Sequence, residues 1–354
     1  MTILKIASVF CFSLFLFSCD YKHTNDDLEK LYLKKFPRYD YLKQGKSIDL
    51  EIFTKMAFFL PFQEYLIIHD IYSGDRGIYI LNKETLELIQ QTGKIGKGPG
   101  EIGRYGTIFT DVKKNRFYVA DFGKNKIWKY SLDSIVADPS YFPQEQFSFR
   151  IMPGMWPLDF IVRNDSLYFL SNLDYFMAKV HNKDSIEFVG KYKDEIIGYN
   201  NKEISKVNNA RITVDEDQLK YAFAFMYADV VTITGDNFNP DIINYGKGKS
   251  SSGKDVFKDI CYYVLLKSDD KYLYAGYMNK PMLQFDSKYG NHKTNYPQTI
   301  RIFNWAGKPI VELKCNDPFS DFYIDRDNNR VILYLTNKKT PIHVYDVDFK
   351  ELLK

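Results

Sequence analysis

The sequence predicts an all-β fold, a six-bladed β-propeller of four-stranded antiparallel blades, and three observations lead to it. Aromatic residues make up 17% of the chain, with 28 Tyr and 28 Phe, and such side chains suit pleated, half-buried surfaces. A turn followed by an apolar alternating strand recurs six times, and the copies begin roughly 50 to 60 residues apart, as the blades of a propeller do. A second strand follows most copies after a polar gap, which indicates a meander and not a βαβ unit.

The six copies share a polar turn that leads into alternating apolar residues. They begin at Gln63, Asn115, Asn164, Asp217, Asp269 and Asn328. The third copy is the weakest match around Asp174–Val180, and an irregular stretch, residues 200–214, precedes the fourth. Two stacked sheets of a β-sandwich would also show regularly spaced short strands, but the copies agree in order as well as in spacing. This agreement favours the propeller.

The N-terminal residues have the pattern of a secretory signal. One lysine precedes Ile6–Phe17, which is uncharged and mostly apolar but shorter than the roughly 20 residues of a membrane span. Leu16-Phe17-Ser18-Cys19 resembles the lipobox of bacterial lipoproteins, although Phe17 is bulkier than the usual residue at its place. The resemblance implies removal of residues 1–18 and lipid on Cys19, which would anchor the chain to the cell envelope, we expect at the outer membrane. An ordinary secretory signal that ends near a cysteine is the alternative.

The rest of the chain is expected to divide into a tether and the propeller. Residues 19–45 are mostly polar, with one apolar cluster where a short helix is expected after Asn25 or Asp26. The propeller is expected to cover residues 46–354. The last blade lacks a strand at the C-terminus, and Ile48–Phe53 is expected to supply it, because closing the ring covers otherwise exposed sheet edges.

Charge and cysteine content narrow the classes of function. The chain has 48 Lys and Arg against 45 Asp and Glu, a net charge of +3, which is too balanced to favour nucleic acid as a partner. Cys11 belongs to the signal segment and Cys19 is the expected lipid site, so Cys261 and Cys315 are the two other cysteines of the mature chain. They form either one disulfide or two buried thiols. Two cysteines exclude a disulfide scaffold and a cysteine-based zinc cluster.

Two loops contain motif-like residues. Gly93–Glu101 is rich in glycine but lacks the Lys-Ser/Thr ending of a phosphate loop and the spacing of a dinucleotide fingerprint, so it is interpreted as a loop between blades. Asp325–Asn329 alternates oxygen-bearing side chains but lacks the glycine and glutamate of a calcium loop, and a hairpin turn fits it better.

Gly93–Glu101, taken with the strand pair that follows it through Val119-Ala120-Asp121, resembles the six-bladed, TolB-like or NHL-like propeller lipoproteins of Bacteroides-type bacteria. The resemblance is specific in this stretch and diffuse elsewhere. It implies a fold more than a function.

Four side chains are candidates for a ligand site. Asp70 and Asp121 each follow a repeat strand at nearly equivalent places, so we expect them at one end of the channel. Carboxylates that converge there would hold a divalent cation, as in sugar-lactonase propellers, and no other cofactor is predicted. Trp156 and Trp305 lie in turn-like places, where exposed rings would stack on a sugar or peptide; packing in the core is the alternative for both.

These observations favour a binding or interaction module for a protein, peptide or glycan. The alternative is a metal-dependent hydrolase or lactonase that uses channel carboxylates. No serine-nucleophile motif and no HExxH sequence is present. Asp70 and Asp121 decide between the two hypotheses, since the enzyme needs them within metal-bonding distance of further oxygens in the channel.

Overall fold

The computed structural model describes residues 29–33, 35–50, 56–148, 159–170, 175–181, 185–192, 210–215, 217–248, 251, 255–287 and 290–354. Cys19 and Trp156 lie outside these residues. The chain begins with three short strands: β1 (Glu29–Tyr32), β2 (Tyr39–Tyr41) and β3 (Lys46–Ile48). The later strands form six antiparallel blades arranged in chain order.

The first three blades have four strands each. The first blade consists of β4 (Ala57–Phe62), β5 (Tyr65–Asp70), β6 (Arg76–Asn82) and β7 (Leu88–Lys94). The second consists of β8 (Tyr105–Asp111), β9 (Arg116–Asp121), β10 (Lys126–Ser131) and β11 (Gln144–Ser148), with a short helix, α1 (Leu132–Ala137), before its last strand. The third consists of β12 (Phe160–Arg163), β13 (Ser166–Leu170), β14 (Tyr175–His181) and β15 (Ser185–Tyr192).

The other three blades are more elaborate. The fourth consists of β16 (Ala210–Asp215), β17 (Lys220–Phe225), β18 (Val230–Thr234) and β19 (Pro240–Tyr245). The fifth has β20 (Ile260–Ser268), β21 (Tyr272–Pro281), β24 (Thr299–Asn304) and β25 (Pro309–Lys314), with an inserted hairpin of β22 (Leu283–Asp286) and β23 (Asn291–Thr294). The sixth has β26 (Phe319–Asp325), β27 (Arg330–Leu335) and β28 (Ile342–Asp346), and helix α2 (Phe349–Leu352) follows it.

The predicted fold class is therefore confirmed: the chain is an all-β propeller of six four-stranded antiparallel blades. Each of the six repeated turns leads into the second strand of one blade. These second strands are buried at almost every position, as in β5, β17 and β27. The reason is that each blade packs its two faces against two neighbouring blades, so neither face of a central strand meets water.

The hydrophobic core is divided among the junctions between consecutive blades. The cluster between the first two blades includes Ile67, Ile80 and Val119, and the cluster that joins the sixth blade to the first includes Ile68 and Ile332. The remaining junctions have clusters of the same kind. The ring therefore closes through side-chain packing as well as through strand pairing.

The N-terminal segment corrects two predictions. β1 pairs in parallel with β19 and β2 with β25, so residues expected to form a helix and a tether add a fifth strand to the fourth and fifth blades. The outer edges of these blades offer unpaired backbone groups, which a strand satisfies and a helix does not. β3 pairs with β28 and closes the sixth blade, and the paired residues are Lys46–Ile48. Of the expected closing strand, Ile48–Phe53, Ile48 takes part in this pairing, and residues 51–53 lie outside the described residues.

Cys261 and Cys315 are free thiols in the structure. Cys261 and Cys315 are both buried and neither forms a disulfide, which agrees with the alternative of two buried thiols. Burial raises the pKa of the Cys261 thiol to about 12, so this thiol is unreactive at neutral pH.

Within the described part of the chain, no helix has the length and apolar character needed to cross a membrane.

Candidate functional site

A cavity of about 500 Å³ occupies the central channel. All six blades contribute to its wall, mainly through their innermost strands. The wall includes Phe58–Pro61, Thr107–Thr110, Asp159, Arg211–Asp215, Leu265–Asp270, Asp321, Tyr323 and Ile324. A cavity of this size is typical of ligand sites, which measure about 300 to 1,000 Å³.

Burial alternates along the innermost strands that border the cavity. In β4, Ala57 and Phe59 are buried, whereas Phe58 and Leu60 are half-buried, and Phe58–Pro61 all border the cavity. In β16, Arg211 and Thr213 are half-buried in the same way. Successive side chains of a strand point to opposite faces of its blade, so the more accessible side chains of these two strands come at alternate positions.

An acid–base pair joins three blades at the channel wall. Lys267 Nζ lies 2.6 Å from Asp321 Oδ2 and donates a second hydrogen bond of 2.6 Å to the Phe59 carbonyl. The Phe59 N–H donates to the same Asp321 oxygen at 2.5 Å. The Asp321 side chain is completely buried, while 21% of the Lys267 side chain is exposed. Burial lowers the pKa of Lys267 and raises the pKa of Asp321, and the charge of each partner opposes the shift of the other.

A second basic group and a second acid, Arg211 and Asp159, lie near each other at the fourth and third blades. Arg211 Nε donates to the Val264 carbonyl at 2.8 Å. Asp159 accepts hydrogen bonds from the backbone N–H groups of Ile212 and Phe160, each at 3.1 Å. Burial raises the pKa of Asp159, and the positive charge of Arg211 opposes this shift. Lys267 and Arg211 of the channel wall therefore each have a carboxylate nearby.

The cavity opens at the turns that connect innermost strands to second strands. Asp217 and Asp270 lie on this rim with 85% and 67% of their side chains exposed. Lys113 Nζ is 2.7 Å from Asp217, and Arg326 lies 2.5 Å from both Asp269 and Asp270. The mouth of the channel thus presents paired charges of both signs.

Asp70 and Asp121 lie at equivalent ends of β5 and β9, as the repeats predicted, but neither belongs to the cavity wall. Second strands lie one position outward from the channel, so the expectation that both side chains face it is not met by this cavity. Asp121 accepts five hydrogen bonds, from the backbone N–H groups of Gly103, Arg104, Gly123 and Lys124 and from Trp128 Nε1. Asp70 accepts a hydrogen bond of 2.9 Å from the Tyr72 N–H. Both carboxylates therefore stabilise loops.

Trp305 packs in the core and is not an exposed platform. Only 5% of the residue is exposed, and it lies in the cluster between the fourth and fifth blades together with Phe303. Its Nε1 donates to the Asp269 carbonyl at 2.9 Å. A ring in this position contributes packing and a satisfied donor, as buried tryptophans usually do. Trp156, the other candidate, is among the residues that the structure does not describe.

The glycine-rich loop joins the first blade to the second, as interpreted from the sequence. Glu101 accepts a hydrogen bond from the Gly98 N–H at 2.7 Å, and Lys94 lies 2.9 Å from the same carboxylate. Lys124 Nζ donates to the Gly98 and Glu101 carbonyls at 2.8 and 2.6 Å. Gly93 and Gly100 have φ of +73° and +69°, which glycine adopts without strain.

Asp325–Asn329, the other motif-like segment, forms the hairpin turn between β26 and β27, as interpreted from the sequence.

Lys267, Asp321, Arg211 and Asp159 are the channel residues that sequence reasoning did not single out. A signal for three of them exists in the sequence. Lys267, Asp321 and Arg211 are charged residues within the mostly apolar innermost strands that precede the repeated turns. A buried charge in such a strand costs free energy unless it is paired, so it indicates a partner on a neighbouring blade. Among the described residues, no group of three or more His, Cys, Asp or Glu is placed to hold a metal ion.

Comparison with known families agrees with this architecture. Residues 59–286 match the model of a family described as 6-bladed beta-propeller, DUF5128. The chain belongs to this family. The match covers more than half of the chain and extends from β4 to the inserted hairpin of the fifth blade. Membership in DUF5128 identifies the fold but not a ligand.

Two solved structures from Bacteroides have the same fold as this DUF5128 chain. A member of the DUF4221 family from Bacteroides vulgatus superposes with a TM-score of 0.59 at 11% identity, covering 86% of this chain and 96% of that one. A Bacteroides fragilis protein described as exported superposes with a TM-score of 0.56 at 13% identity, covering 90% and 98%. No protein of curated function matches the sequence. At these identities the likeness concerns the fold alone.

Proposed function

We propose that this propeller is a binding module of the cell envelope, anchored to a membrane by lipid on Cys19, and that its ligand is a protein segment, peptide or glycan held in the central channel. The observation that carries the proposal is the cavity of about 500 Å³ bounded by all six blades. A packed core would fill such a space, whereas a ligand site leaves it open.

The chemistry of the wall supports a ligand of low net charge. Lys267 is paired with Asp321, and Arg211 lies near Asp159. Phe58 and Phe109 contribute aromatic surface to the same cavity, and Thr107, Thr110 and Thr213 contribute hydroxyl groups. Peptides and glycans both present apolar faces together with alternating donors and acceptors. A polyanion such as nucleic acid would instead need unpaired cations.

The proposed location in the cell envelope rests on the N-terminal sequence. Leu16-Phe17-Ser18-Cys19 follows an apolar run of signal-peptide length. The structural neighbour from Bacteroides fragilis is described as exported, which supports export of this chain as well. Acyl chains on Cys19 would then hold the propeller at the outer membrane. Kinship with TolB-like or NHL-like lipoproteins remains part of this proposal.

The alternative function, a metal-dependent hydrolase or lactonase, has less support. A divalent cation needs several oxygen or nitrogen ligands around one point. Two acids of the channel wall, Asp159 and Asp321, each accept backbone hydrogen bonds, and each lies near a cation of the neighbouring blade. A protein cation therefore already compensates the charge of each of these carboxylates.

A channel-filling variant tests the binding function. The purified propeller is applied to arrays of oligosaccharides and of peptides, and Thr110→Trp is compared with Thr85→Trp. Thr110 lines the cavity, whereas Thr85 lies in an exposed turn of the first blade. We expect the wild type and Thr85→Trp to bind the same array members and Thr110→Trp to lose them. Equal binding by all three proteins, or no binding to either array, would contradict a channel site.

A further inference from the structure

The N-terminal segment, residues 29–48, wraps around the outer rim of the propeller and is called here the N-terminal belt. It reaches the fourth blade through β1, the fifth through β2 and the sixth through β3. Phe36 and Leu42 point inward and are 5% exposed each. The belt is therefore fixed to the propeller by backbone pairing and by buried side chains on one side, while its other side faces outward.

The outward side combines positive charge with tyrosines. The belt sequence has six Lys and Arg against two Asp and Glu, a net charge of +4, whereas the whole chain has +3. All of the positive excess thus lies in this segment, and the rest of the chain is slightly acidic. Lys30, Lys35 and Lys43 are exposed. An outward surface of this charge attracts anionic groups.

Three tyrosines of the belt are among the most exposed large side chains of the described residues. Tyr32, Tyr39 and Tyr41 are 70%, 61% and 52% exposed. The rings of Tyr39 and Tyr41 lie 5.9 Å apart, and Lys314 Nζ lies 4.4 Å from the Tyr39 ring centroid. Tyrosine has an apolar ring and a polar tip, and it is enriched where hydrocarbon meets water.

The belt also begins close to the lipid-bearing residue. Nine residues separate Cys19 from Glu29. An extended chain spans at most about 3.6 Å per residue, so Glu29 can lie no more than about 36 Å from the Cys19 backbone. The fourth blade, which carries β1, is consequently the part of the propeller held nearest to the membrane.

We propose that the N-terminal belt is a membrane-docking surface, in which the lysines bind anionic lipid headgroups and the tyrosines enter the interface. This inference rests on the lipid anchor of the proposed function, and it adds a second membrane contact to that anchor. Docking through the rim of the fourth and fifth blades places the channel axis parallel to the bilayer. Both ends of the channel then remain accessible to a ligand.

Vesicle binding by the unlipidated protein tests the belt. The mature chain with Cys19→Ala is mixed at low salt with vesicles of phosphatidylglycerol and phosphatidylethanolamine in equal parts, or of phosphatidylcholine alone, and the bound fraction is measured by co-sedimentation. We expect binding to the anionic vesicles and not to phosphatidylcholine. In this background, Lys35→Glu with Lys43→Glu should weaken binding by at least about fivefold for each lysine changed.

Matched variants on the opposite side of the ring serve as controls. Lys97 and Lys114 are exposed and lie near the first and second blades, and Tyr72 is 63% exposed in the first blade. Lys97→Glu with Lys114→Glu, and Tyr72→Ser, should bind as tightly as the parent, whereas Tyr39→Ser with Tyr41→Ser should bind less. Equal losses in belt and control variants, or no binding of the parent, would overturn the proposal.

A separate measurement distinguishes failure of the belt from failure of the anchor. Labelling of cells with a radioactive fatty acid reports lipidation of the Cys19 chain directly. Label on Cys19 without vesicle binding by the unlipidated chain would leave the anchor in place and reject the belt. Vesicle binding without label would retain the belt as a peripheral contact and reject the anchor.

Discussion

Lys267 of the fifth blade and Asp321 of the sixth meet at 2.6 Å on the channel wall, and both bind the backbone of Phe59 in the first blade. The pair therefore lies where the last blades of the chain join the first, which is the junction that closes the ring. Its location explains why an innermost strand has a buried charge. The two side chains connect segments that are more than 200 residues apart in sequence.

The first prediction concerns this pair. Removal of one partner leaves a buried charge without compensation, so Asp321→Leu should lower the free energy of unfolding by about 3 to 5 kcal/mol. Lys267→Met combined with Asp321→Leu should cost less than Asp321→Leu alone, because no unpaired charge remains. Urea unfolding followed by tryptophan fluorescence measures the difference. A double variant at least as unstable as the sum of the single variants would contradict the pairing.

Much of the fold could be predicted from the sequence because each blade repeats a local pattern. Alternation of apolar residues is a property of the strand itself, so the second and third strands of most blades were predicted nearly at their observed bounds, as for Lys126–Ser131 and Thr299–Asn304. The pairing of β1 and β2 with distant strands was not predictable in this way. Leu31 and Leu33 suit a helix as well as a strand, and only the free edges of the fourth and fifth blades decide between them.

The candidate site was less predictable than the fold. Asp70 and Asp121 were correctly placed at equivalent strand ends, but the sequence does not say which strand of a blade faces the channel. Only the order of strands in the sheets shows that the innermost strands form the wall. Lys267 and Asp321 also lack any local motif, since their relationship arises from ring closure.

The second prediction concerns pH and His69. This side chain is fully buried beside the Tyr105 ring, at 4.9 Å between centroids, and burial lowers its pKa to about 3. Between this value and the ordinary pKa of about 6.5, the unfolded chain binds the proton and the folded chain does not. Stability should therefore fall as the pH decreases from about 6.5 towards 3, by an amount on the order of 4 kcal/mol from this group.

His69→Phe should remove this part of the pH dependence, because a ring of similar size remains and the titrating group is lost. The measurement is the melting temperature between pH 4 and 7 for the wild type, His69→Phe and His292→Gln, a control in the exposed hairpin of the fifth blade. A wild-type slope retained in His69→Phe would show that other groups cause the acid sensitivity.

The third prediction concerns Asp121. Asn at this position keeps the shape but has one oxygen in place of two, so some of the five donors lose their acceptor. Hydrogen bonds to charged groups contribute about 1.5 to 3 kcal/mol each, so Asp121→Asn should destabilise the protein by about 3 kcal/mol or more. Asp133→Asn, in helix α1, is the control. A calcium-dependent increase in melting temperature that Asp121→Asn abolishes would instead indicate a metal ligand.

The last prediction concerns Cys19 and separates covalent anchoring from surface attraction. In cells, Cys19→Ala should leave the membrane fraction after a wash at high salt, because the Debye length falls to about 3 Å at 1 M salt and charge attraction of the belt is screened. The wild type should remain bound, because its acyl chains anchor the protein by burying hydrocarbon in the bilayer, which contributes about 0.8 kcal/mol per CH₂ and does not depend on charge. Circular dichroism and the melting temperature of the released protein should match those of the wild type, because the described strands begin at Glu29, ten residues after Cys19. Retention of Cys19→Ala through the high-salt wash would show that a contact other than the lipid holds the protein to the membrane.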